Sequence, residues 1–122
     1  MTDDSDGPSD TRRPEREAEA SRIARESMLA RQKLIEAMID NNLRQLKFDS
    51  AWRGADIERA CALRDVERGG GDPELSERLA EIDRRIERLE EEHRSLVAER
   101  EWLNRSLLEF DEQAAANRRF QI

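Results

Sequence analysis

The chain of 122 residues has one cysteine, Cys61, one histidine, His93, and no tyrosine. A single cysteine excludes an intramolecular disulfide. With one residue of each type, a zinc site built from the usual cysteine and histidine ligands of one chain is excluded too. Aromatic residues stop at Phe48, Trp52, Trp102, Phe110 and Phe120, and no strand-forming run is present. No apolar stretch approaches membrane-spanning length. The opening "MTDDSDGPSDTRRP" lacks the basic flank and apolar core of a signal peptide. The expectation is a cytoplasmic protein with no membrane insertion. Basic residues are outnumbered, 22 against 29 acidic ones, for a net charge of -7. Duplex nucleic acid is therefore not an expected partner, because binding it requires a basic surface that displaces phosphate counterions.

What the sequence has in abundance is charge and helix formers. Charged residues make up 42% of the chain and hydrophobic ones 36%, a balance that suits elongated helices better than a thick globular core. Residues 1–14 are acidic and broken by Gly, Pro and Ser, and they read as a disordered tail. From Glu15 to about residue 68 a first helical arm runs without proline. Residues 69–72 form a turn, and a second arm spans about 73–117.

The second arm carries the clearest pattern. Leu75, Leu79, Ile82, Ile86, Leu89, His93, Leu96, Arg100, Leu103, Leu107 and Phe110 follow one another at spacings of four and three, which is a heptad seam. Asp72 is placed to cap this helix and Pro73 to occupy its first position. Gly69, Gly70 and Gly71 can end the first arm in a left-handed conformation and let the chain double back. The fold class expected is therefore all-α, a long antiparallel two-helix coiled coil. In such a hairpin the numbers of facing residues add to about 141 or 142, which sets Val66 on Leu75, Ala62 on Leu79, Ala55 on Ile86, Trp52 on Leu89, Leu46 on Leu96, Ile39 on Leu103, Ile35 on Leu107 and Met28 on Ala114. Arg100 then falls opposite Asn41 and Asn42, and His93 beside Phe48 and Asp49. Polar residues in a seam fix register, since a slipped alignment leaves them unpaired; Asn42, His93 and Arg100 are the candidates.

The first arm is less regular. Its seam reads through Met28, Ile35, Ile39, Asn42 and Leu46 and then restarts in another phase at Phe48, Trp52, Ala55, Ala62 and Val66, which predicts a stutter or bend near residues 47–54. Ile23, Leu34 and Met38 then form a surplus apolar strip, with Leu29 and Leu43 on the opposite flank. Two helices cannot cover all of these, so the strip is the expected partner-binding face and a homodimeric bundle the expected state.

Catalysis fails on inventory. Cys61 and His93 lie too far apart to form a nucleophile and base, no phosphate-cradling glycine motif is present, and Glu90, Glu91 and Glu92 point in different directions around a helix. No enzyme activity, cofactor or metal is expected. The tip carries Asp65, Glu67, Asp72 and Glu74 beside the glycines. In this it resembles the acidic coiled-coil fingers of transcription factors that enter the secondary channel of RNA polymerase, a resemblance of shape that implies a transcription regulator. The two-armed plan is also similar to the small antiparallel coiled-coil proteins that serve bacterial flagellar and type III export machinery as stalks and chaperones. That likeness implies a non-catalytic adaptor or assembly protein acting through helix–helix contacts, which is the primary expectation.

Overall fold

Helix formers run unbroken up to the glycines and again after them, and the chain folds accordingly. A computed structural model describes the backbone of residues 7–120 and the side chains of residues 12–119. It contains two helices, α1 (Gly7–Arg68) and α2 (Pro73–Phe120), packed against each other, with no strand among the described residues. At 1.5 Å per residue α1 is about 93 Å long and α2 about 72 Å. The first six residues of the expected tail lie outside the described residues. From Gly7 the backbone is already helical and takes in Pro14, whose ring holds φ near the helical value at the cost of one backbone hydrogen bond. Further on, α1 passes through residues 47–54 without a break, so the bend expected there is absent. The helix tolerates Gly54, which faces open space.

The reversal is made by residues 69–72. Gly70 and Gly71 adopt φ of 60° and 88°, a region that side-chain-bearing residues avoid. A side chain at Gly69 would collide with Leu75 and approach the Asp65 carbonyl oxygen to 2.9 Å. The turn is closed by Asp72 N–H donating to the Gly69 carbonyl at 3.3 Å. Asp72 Oδ1 accepts from the Glu74 amide at 3.0 Å, the side-chain cap expected of an aspartate just before Pro73.

Contacts along the hairpin fix its register. Phe48 and His93 stack with ring centroids 4.5 Å apart and planes 9° from parallel. Ion pairs cross between the helices from Arg31 to Asp111, Arg44 to Glu99, Glu58 to Arg85, Arg59 to Asp83 and Asp65 to Arg78, at 2.9, 2.5, 2.5, 2.6 and 3.9 Å. The paired residue numbers all add to between 141 and 143, so the helices are antiparallel and in the register read from the sequence. These pairs are partly exposed and contribute little to stability, but their geometry disfavours slippage. The apolar core is thin: Ala55, Ala62, Ile82, Leu96 and Leu103 are its buried members.

Candidate interaction surface

The inner face of α1 is set by which residues α2 covers. Leu34, Met38, Asn41, Gln45, Phe48, Ala55, Arg59, Ala62 and Val66 are buried or half-buried. With Trp52 included they follow one another at spacings of four and three from end to end. This is a single uninterrupted line, and it corrects the sequence reading of the first arm. Met28, Ile39 and Leu46, expected against Ala114, Leu103 and Leu96, are 72%, 55% and 65% exposed. Leu34 and Met38, expected on the surplus strip, are half-buried on the inner line. The physical reason is Asn41 and Gln45. Their polarity hides the inner line from a search for apolar residues, and the parallel run Ile35, Ile39, Asn42, Leu46 takes its place. Extending the Phe48, Trp52, Ala55 phase backwards would have led to Gln45 and Asn41 and removed the need for a stutter.

Asn41 is fully buried, and its amide is satisfied. Nδ2 donates to the Leu96 carbonyl at 2.9 Å and Oδ1 accepts from Gln45 Nε2 at 2.6 Å. A buried amide of this kind has few alternative partners, so sliding α2 along α1 leaves it unpaired. Of the three residues singled out for register, Arg100 is half-buried and donates to exposed Asn42, and His93 lies on Phe48. The deepest polar contact belongs to their neighbour Asn41, which the alignment set opposite Arg100. Toward the far end the Arg31 guanidinium hydrogen-bonds Asp111 and holds its carboxyl below the usual carboxylate range, while Asp111 in turn raises Arg31. Arg44 is likewise raised, chiefly by its hydrogen bond to Glu99.

The outer face of α1 has the opposite character. Leu29, Ile39, Leu43, Leu46 and Ile57 are each more than half exposed. They belong to one line spaced by fours and threes, which runs on the side of the helix away from α2 and extends about 42 Å. Gln32, Glu36, Ser50 and Arg53 fill the line's remaining positions, all exposed. Leu43 and Leu46 border a shallow groove with Asp40, Arg44, Lys47 and Ser50. Ile23 is also exposed but does not belong to this line. On α2, exposed Val97 and Leu108 share one face, three turns apart, and exposed Trp102 stands on another.

At the tip all four acids, Asp65, Glu67, Asp72 and Glu74, are exposed. Asp72 is occupied as a cap and Asp65 lies 3.9 Å from Arg78. Among the described residues no group of three or more His, Cys, Asp or Glu side chains is arranged to hold a metal ion. No described helix is long and apolar enough to cross a membrane. No protein-family model, curated protein or solved structure matches this chain.

Proposed function

We propose that this protein is a non-catalytic adaptor or assembly protein of the cytoplasm, a rigid two-helix coiled coil that works by presenting the outer face of α1 to other helices. The observation that carries this reading is the line Leu29, Ile39, Leu43, Leu46 and Ile57, apolar at heptad spacing yet more than half exposed. Single exposed apolar residues are ordinary on any protein surface. Five on one heptad line are the pattern with which a helix docks on another helix. Each such side chain gains roughly 1.5–3 kcal/mol when fully buried, so two or three suffice to decide an association. The reading moves the contact surface from Leu34 and Met38, which serve the hairpin, to the line behind them.

The test is photo-crosslinking in the native host from a photoreactive residue placed at Gln32 or Ser50, with the captured species identified. Adducts that disappear on replacing Leu43 and Leu46 with Glu and Lys, while helix content is preserved, support the reading. Adducts indifferent to those replacements would move the working surface elsewhere.

A further inference from the structure

Resting on the reading above, we infer that the occupant of this outer face is a second copy of the same chain, its α1 helix lying antiparallel across a two-fold axis that passes between Leu43 and Leu46. An isologous contact demands that whatever residue i meets, residue j, must meet i in return. A surface shaped for a foreign partner is under no such constraint, and this line satisfies it at its central leucines and at its charged positions.

When facing numbers add to about 89, Leu43 of each copy meets Leu46 of the other at the centre. Outward from this pair on both sides, Glu36 faces Arg53. Asp40 lies on the flank of the line near Lys47 of the second copy, with one oxygen already accepting Arg44 Nε at 2.8 Å. The acids Glu36 and Asp40 precede the centre and the bases Lys47 and Arg53 follow it. Antiparallel pairing therefore joins opposite charges twice over. Parallel pairing sets Glu36 on Glu36 and Arg53 on Arg53. Sliding the antiparallel pair by one heptad brings Asp40 against Asp40 and Glu36 against Leu46. Charge thus selects both direction and register, the role that residues flanking an apolar seam play in helix pairing. Further out Ile39 faces Ser50 and Ile57 faces Gln32, and Leu29 facing Ala60 closes each end of the contact. The result is a flat assembly with the two α1 helices inside, the two α2 helices outside, and the glycine turns at opposite ends.

The exposed cysteine supplies the probe. In the antiparallel dimer the two Cys61 residues sit about 50 Å apart along the axis, against about 20 Å or less in a parallel one. The full chain should sediment at equilibrium as twice 14.2 kDa, and spin labels on Cys61 should report the longer distance. L43E should weaken the dimer roughly tenfold or more with helix content unchanged. E36R should weaken it and R53E, added to E36R, should restore it. A chain that is monomeric at tens of micromolar, an L43E variant that pairs as before, or a short Cys61–Cys61 distance would each overturn the proposal. If the chain is monomeric while a foreign protein is still captured through Leu43, self-pairing falls and the adaptor reading stands. If the dimer forms as described but the host yields only self-adducts, self-pairing stands and the adaptor reading falls.

Discussion

The two faces of α1 both carry apolar residues at spacings of four and three, yet only one of them is covered. The inner face includes Asn41, Gln45 and Arg59 and is buried most deeply at Asn41 and at two alanines, Ala55 and Ala62, each 1% exposed or less. The outer face carries Leu29, Ile39, Leu43, Leu46 and Ile57. Residues as small as alanine are covered this fully only where the opposing helix comes close, and the hydrogen bonds of Asn41 and the crossing ion pairs hold α2 in one place. The hairpin is thus organised around specific contacts of modest area, while five further leucine and isoleucine side chains are left facing outward. The composition of a helix face shows how much it gains by being covered; only pairing constraints show what covers it.

The comparison is broken most severely by deleting volume on one side and then the other. Leu103→Ala, which empties a fully buried position on α2, should cost about 2–5 kcal/mol, read by urea denaturation of a dilute sample. Leu43→Ala on the outer face should change the stability of the hairpin by less than about 0.5 kcal/mol. If the two substitutions cost the same, the assignment of inner and outer faces fails.

Asn41→Ala should come next, at about 1–3 kcal/mol, because it strips Gln45 of its acceptor inside the interface. Asn42→Ala, one residue away but exposed, should be close to neutral in the same denaturation series. Gly71→Ala acts on the turn that brings the inner face onto α2. With φ at 88°, a side chain there should cost about 1–2 kcal/mol, seen as a lowered Tm without loss of helix content, while Gly54→Ala should be neutral or stabilising.

The smallest effect is expected at Arg31 and Asp111, where the folded state holds the carboxyl below its usual range. Stabilisation from such a group is complete above the ordinary carboxylate pKa of about 3.9 and is lost as pH falls through the lowered folded value. Asp111→Asn should therefore lower the Tm slightly at neutral pH, and the difference from the unaltered chain should shrink on acidification. A difference that grows as pH falls would contradict the pairing.

Much of the hairpin was legible in the sequence, for reasons that particular residues make plain. The seam of α2 from Leu75 to Phe110 is apolar at nearly every position, so its period alone reveals its face. Gly69–Gly71 followed by Asp72 and Pro73 marks the reversal through backbone chemistry that few other residues supply. Facing numbers near 141 then correctly joined Phe48 to His93 and brought Arg100 to Asn42. The face of α1 was less legible because two lines compete there with similar apolar content. The one that wins contains Asn41 and Gln45, whose place inside depends on a backbone carbonyl contributed by Leu96, fifty-five residues away in the chain. Nothing local to residues 34–46 encodes that contact. The same ambiguity concealed the candidate interaction surface: once Leu34 and Met38 are drawn inward, Ile39, Leu43 and Leu46 are what remains outside.

The most direct measurement is intramolecular disulfide formation at one layer, in a Cys61→Ala background and at high dilution. Cysteines replacing Met38 and Leu103 should cross-link readily within one chain, since both residues face the interface and share the register of Phe48 and His93. Cysteines replacing Ile39 and Leu103 should not, because the side chain of Ile39 is directed outward. Efficient cross-linking of the second pair with failure of the first would place the opposite face of α1 against α2, and with it the account of both surfaces would fall.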